Sequence, residues 1–186
     1  MSTDVDIDFA DREQILKYIE HTPAYILEQG KPRKHNTGVY FHSVPNNPFT
    51  GYATLDYKSA EEKGWFKIDL LNVGIYASFT SNEEIDRLLD REPNWQLLEH
   101  REIIEQLFHI HNHSSTVIEM KPRSIEQLAM ILAIIRPGKK HLIGRPWTEI
   151  AEEVWQKNDD AYSFKKSHAI GYAMAIVLQM NKMVYG

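Results

Sequence analysis

The sequence predicts an α+β fold, with a strand-containing front half and a helical back half. Three observations predict it. Residues 4–9 (Asp-Val-Asp-Ile-Asp-Phe) alternate polar and apolar, the period-two mark of a strand. Beyond residue 80, apolar residues recur at helical spacing. Two Ser-x-x-Glu/Gln segments, Ser81 to Glu84 and Ser124 to Gln127, are capping boxes that open helices. The halves divide at about residues 1–80 and 81–186, as two small domains or as one compact domain.

Taken in order, the first strand is followed by a predicted helix over about residues 11–20, where Ile15, Leu16 and Ile19 share a helical face. Residues 30–37 (Gly-Lys-Pro-Arg-Lys-His-Asn-Thr) read as a polar turn or loop. Strands are predicted over 38–44 and 65–71, with a turn at 46–48. A short helix opens at Ser81, and another covers about 98–108. A third opens at Ser124, carries Leu128, Ile131, Leu132 and Ile135, and is stopped by Pro137-Gly138. Helices over 147–156 and about 165–183 complete the set.

Composition bounds the function. There is no cysteine, which excludes disulfides and thiolate metal sites. The longest apolar run, around 173–178, is too short to span a bilayer, and the acidic first residues lack the apolar core of a signal peptide. The expectation is a soluble, cytoplasmic protein with no membrane partner. The net charge of −5 excludes a generic basic DNA-coating protein. The charge is uneven, however. Residues 82–105 hold eight acids against three bases, whereas 121–145 hold six bases (Lys121, Arg123, Arg136, Lys139, Lys140, Arg145) against Glu126 alone. Such a basic stretch is either a solvated surface or a site for a polyanion.

The acids of the first strand are the main chemical signal. Alternation puts Asp4, Asp6 and Asp8 on one face and Val5, Ile7 and Phe9 on the other. Carboxylates in a row repel unless they are solvated or neutralised. Oxygen-rich sites suit Mg²⁺ (or Mn²⁺), held by carboxylates together with substrate phosphates. Asp69 is the natural further contributor, because alternation in Phe66-Lys-Ile-Asp69 points it with Lys67 and away from Ile68. The alternative is an edge strand whose acids face water. Elsewhere, His109, His111 and His113 alternate. On a strand they would share a face and suit a transition metal; in a loop they are polar surface. Tyr40, Phe41, Trp147, Tyr162 and Phe164 near the basic stretches would either stack on bases or fill a core.

The order of several motifs is similar to that of the bacterial replicative DNA polymerase III α subunits, the family C DNA polymerases. Thr3-Asp-Val-Asp-Ile-Asp-Phe9 resembles the PDxDxDF palm strand, without its Pro. His35-Asn-Thr-Gly-Val39 resembles HAAGV, and Leu55-Asp-Tyr-Lys-Ser59 followed by Glu62-Lys-Gly-Trp-Phe-Lys-Ile-Asp-Leu-Leu71 resembles the stretch from TQYD to KFDFLGL. Met120–Ala129 with Ile135-Arg-Pro-Gly138 resembles the fingers segment ending in YRPGP, and Tyr162-Ser-Phe-Lys-Lys-Ser-His-Ala169 resembles YGFNKSHA.

The resemblance implies a small palm-like, nucleotidyltransferase-like half and a helical fingers-like half. It carries the family's catalytic positions onto Asp4, Asp6 and Asp69, with Lys67 beside them. It places Arg136, Lys166 and His168 in motifs that approach nucleotide phosphate, and Lys139 and Lys140 follow in the same basic stretch. The implied reaction is two-metal nucleotidyl transfer in DNA replication, on DNA and deoxynucleoside triphosphates, in the cytoplasm of a bacterium or a virus-infected host. The Gly-Ser phosphate motif and a thumb-length insertion are not in this sequence. Lys139 replaces the second Pro of YRPGP. A second chain or self-association is therefore expected to complete the nucleotide site. The alternatives are a catalytically inactive DNA- or replisome-binding module and a metal-dependent nuclease using the same acids.

Overall fold

The computed structural model describes residues 5–156 and 164–186. The fold is α+β, and the chain divides into two compact units, Met1–Ser78 and Phe79–Gly186.

The first unit is built on a mixed four-stranded sheet of order β1-β4-β3-β2, comprising β1 (Val5–Phe9), β2 (Thr22–Glu28), β3 (Lys31–Tyr40) and β4 (Ile68–Asn72). β1 runs parallel to β4, while β3 is antiparallel to both of its neighbours. Helix α1 (Arg12–Leu16) is shorter than its predicted span, with Asp11 accepting from the backbone N–H of Glu13. Thr22 precedes Pro23 and is thereby pushed towards extended backbone, and there β2 begins. Leu16, Val39 and Leu70 form the core on this face of the sheet.

The predicted loop at 30–37 is a strand. Gln29 and Gly30 both have positive φ (52° and 76°) and close a two-residue hairpin between β2 and β3. That is the turn geometry whose twist matches paired strands. Helix α2 (Tyr57–Glu62), absent from the sequence expectations, is opened by Asp56, which accepts from the N–H groups of Lys58 and Ser59. It is closed at Gly64 (φ 78°), with Trp65 N–H donating to Ala60 C=O, a Schellman-type ending. Tyr40, Ala53 and Ala60 bury a second small core beneath it.

The second unit is helical: α3 (Asn82–Leu89), α4 (Arg101–Ile104), α5 (Ser114–Met120), α6 (Ile125–Ile134), α7 (Trp147–Glu153) and α8 (Lys166–Tyr185). Both predicted capping boxes form. Ser81 Oγ accepts from Glu84 N–H and Ser124 Oγ from Gln127 N–H. The returning Glu84 and Gln127 side chains accept from Thr80 and Arg123 N–H, one residue before each cap. Helices α6 and α8 carry the core, with Leu128, Ile131, Leu132 and Ile134 packed in one cluster with Ala173, Ile176 and Met180. The helix predicted over 98–108 is instead a short 3-10 turn (Trp95–Glu99) and α4, separated by extended backbone at His100. Buried Asn181 donates to the carbonyls of Leu88 and Arg91 at 2.8 and 2.9 Å, satisfying the end of α3 from α8.

Candidate functional site

In the first unit, Asp6 and Asp69 are register partners on the adjacent parallel strands β1 and β4. Register partners share a face, so acids 63 positions apart in sequence (69 minus 6) lie side by side. Asp8 lies further along the same face, and its charge helps to hold the half-buried Tyr76 phenol above its ordinary pKa, after the larger effect of burial. Asp4 lies outside the described residues.

Asp69 is 4% exposed. Its Oδ1 accepts from the Thr37 hydroxyl at 2.7 Å, and its Oδ2 accepts from Lys67 Nζ. Burial pushes the Asp69 carboxyl up, but the hydrogen bonds from Lys67 and Thr37 and the Lys67 charge more than offset it, so its pKa is lowered. Asp69 is thus a carboxylate at neutral pH, and Lys67, expected on the same face, donates to it directly.

A large bulge in β3 supplies Thr37. The pairing steps from Pro23↔Val39 to Tyr25↔Lys34. One residue of β2 therefore faces four of β3, His35 to Gly38. Bulges re-aim side chains and leave backbone groups without ladder partners. Here the His35 ring replaces those partners: Nδ1 accepts from Gly38 N–H at 2.9 Å and Thr37 N–H at 3.3 Å. Acceptance at Nδ1 places the ring proton on Nε2. The ring meets Tyr57 edge-on, with centroids 5.3 Å apart. From the β4 side, the buried Arg12 guanidinium donates to the carbonyls of Asn36 and Leu70. Gly38 gives the two side chains room at this point: a Cβ there would stand 2.7 Å from Lys67 Cδ and 3.0 Å from His35 Nδ1, so Lys67 would have to shift. His35, Thr37 and Gly38 lie in the His-Asn-Thr-Gly string, to which the sequence expectations give no role. The signal was the His-Asn-Thr-Gly string itself.

Mg²⁺ suits hard oxygen donors and is commonly held by one or two carboxylates plus substrate phosphates. Asp6 and Asp69 fit that donor set, coming from two strands onto one face. Among the described residues no group of three or more His, Asp or Glu side chains is assembled for a metal.

In the second unit, Arg136 sits just before the short 3-10 turn Pro137–Leu142. Its guanidinium lies 4.9 Å from the Phe164 ring centroid, and its Nε is buried with no hydrogen-bond partner among the described residues. Its charge reaches two imidazoles. His109 is pushed down to about 4, first by burial and then by Arg136 and His111. His113 is lowered by burial, Arg136, Lys140 and His111. A half-buried cation that holds nearby imidazoles neutral makes a local positive field that favours an anion. His168 stacks with Tyr172 at 6.4 Å in the same aromatic cluster. The exposed Lys166 lies 6.0 Å from the Trp155 ring centroid.

Lys140 is exposed, but Lys139 departs from its expected role. Lys139 is 4% exposed and donates to Glu153 C=O at 2.9 Å, so it ties the 3-10 turn to α7. Tyr40 and Phe164, considered as base-stacking residues, are buried; Tyr162 lies outside the described residues. The three alternating histidines do not form a strand face. His109 occupies a turn with φ 59°, and His113 immediately precedes α5.

No helix among the described residues is long and apolar enough to cross a membrane. No protein-family model and no curated protein matches the chain.

Proposed function

We propose that the protein is a DNA polymerase III α-like nucleotidyltransferase in which Asp6 and Asp69, with Asp4, hold divalent metal for transfer of a deoxynucleotide to a primer 3′ hydroxyl. The observation that carries this reading is the register pairing of Asp6 with Asp69 across the parallel β1–β4 pair. Strand alternation and the motif resemblance point to the same two residues. When bound, Mg²⁺ would lower the barrier by stabilising negative charge on the attacking and leaving oxygens.

The chain's own residues supply the rest. Thr37 and Lys67 hold Asp69 ionised and in one orientation. The bulge locked by His35 keeps Thr37 in reach. In the second unit, Arg136 with Lys166 offers positive charge for nucleotide or DNA phosphate.

The test is incorporation of labelled deoxynucleotide onto a primed template with Mg²⁺. Asp6→Asn is expected to lower the rate by about a hundredfold or more, the scale of losing one charge-stabilising group. Incorporation equal in wild type and variant would refute the assignment.

A second reading is a DNA-binding module without catalysis. The observation favouring it is that both Asp69 oxygens already have partners, one of them cationic. It predicts DNA binding that survives Asp6→Asn and falls when Arg136 and Lys140 are neutralised.

A further inference from the structure

Beyond its bulge, the β2–β3 hairpin leaves the sheet. β4 pairs with β3 only at Gly38 and Val39. The ribbon continues alone through Tyr25↔Lys34, Ile26↔Arg33, Leu27↔Pro32 and Glu28↔Lys31. Four pairs at roughly 3.4 Å per residue make an arm about 14 Å long.

On the β3 side of the arm Lys31 to Lys34 are all exposed, and on the β2 side Leu27 is 58% exposed. It holds three cations, Lys31, Arg33 and Lys34, against one acid, Glu28, in a chain of net charge −5. Glu28 pairs with Arg33 at 2.5 Å. Lys31 and Lys34 make no ion pair among the described residues. Direct pairing places Lys31 and Arg33 on one face and Lys34 on the other. A projecting two-stranded ribbon with cations on both faces matches a groove with phosphates on both walls. The major groove of duplex DNA admits a two-stranded ribbon and is about 8.5 Å deep.

We propose that the β2–β3 ribbon is a duplex-binding arm that enters the groove of a nucleic-acid duplex and places Lys31, Arg33 and Lys34 on its backbone phosphates. The inference rests on the nucleic-acid reading above for its partner, but not on catalysis. The arm springs from the same bulge that carries His35 and Thr37 to Asp69. A duplex held by it is therefore anchored at the root of the carboxylate site.

The test measures affinity for a short labelled duplex across a salt series, without metal or nucleotide. Lys31→Gln/Lys34→Gln together are expected to weaken binding by about tenfold at moderate salt and to reduce the slope of log K against log salt by about 1.8. Glu28→Gln, which releases Arg33, is expected to tighten binding by about threefold, within the range of one gained phosphate contact. Wild-type binding with unchanged affinity and slope in the double variant would mean that the lysines only guard the ribbon's open edge, and the arm proposal fails. An equal loss on single-stranded DNA would contradict the duplex assignment. No duplex binding by the wild type would overturn both the arm and the nucleic-acid reading. A weakened double variant in a protein that incorporates no nucleotide would keep the arm and reject catalysis.

Discussion

The placement of single charged and hydrogen-bonding side chains decides most of the chemistry. Asp69 stays ionised in a buried position because two donors outweigh its desolvation. His109 shows the opposite balance. Its pKa is lowered from 6.5 to about 4, so the folded protein binds its proton less readily than the unfolded chain does. Stability from this group is complete above about pH 6.5. It is lost as pH falls from there towards 4. His109→Asn keeps a side chain that tolerates the left-handed backbone. It is expected to flatten the decline of the urea midpoint across that window, even if it lowers stability at pH 7.5 by removing the ring from Phe108 and Tyr172. A variant that declines as steeply as the wild type would show that His109 does not titrate in this way. At this scale the sequence was only partly legible. Asp6, Asp69 and Lys67 could be read because strand alternation fixes their faces. Thr37 and His35 could not be read that way, because the bulge that aims them breaks alternation. Lys139 misled because charge in a basic stretch says nothing about whether the side chain folds back onto a carbonyl.

The elements themselves were legible where a cap or a period marked them. The boxes at Ser81 and Ser124 opened helices as expected, and Pro137-Gly138 ended the third helix. The β2–β3 hairpin was hidden because Gln29-Gly30 lacks the Asn-Gly or Asp-Gly signal of such turns, and because Pro23 and Pro32 read as breakers. On the outer ribbon, Pro32 costs no central ladder bond. The break at His100 was invisible because a 3-10 turn and a following short helix present Leu98, Ile104 and Leu107 much as one helix would. The join of α3 to α8 depends on Asn181. Its amide donates to the Leu88 carbonyl, which also accepts from Arg91 N–H, and to the part-buried Arg91 carbonyl. Asn181→Ala is expected to destabilise the protein by roughly 1–2 kcal/mol, the cost of removing a buried donor and leaving the Arg91 carbonyl without it, measured by urea unfolding. A loss under about 0.5 kcal/mol would mean that these carbonyls find other partners.

At the scale of the whole molecule, two compact units divide the chemistry. The first holds paired carboxylates on a mixed sheet, with a basic ribbon rising from the same bulge. The second holds a half-buried arginine among aromatic rings and neutral imidazoles. On the proposed reading, nucleic-acid affinity in a chain of net charge −5 is expected to be modest and strongly dependent on salt. The proposed chemistry stands or falls on whether Asp6 and Asp69 hold a divalent metal for a nucleotide. Calorimetric titration of Mn²⁺ into the wild type and Asp6→Asn, with and without a deoxynucleoside triphosphate, tests it most directly. Asp6 is the better position to change because Asp69 is tied into Thr37 and Lys67. Wild-type binding is expected to strengthen with nucleotide and to disappear in the variant. No binding by the wild type, or equal binding by both proteins, would contradict the proposed chemistry.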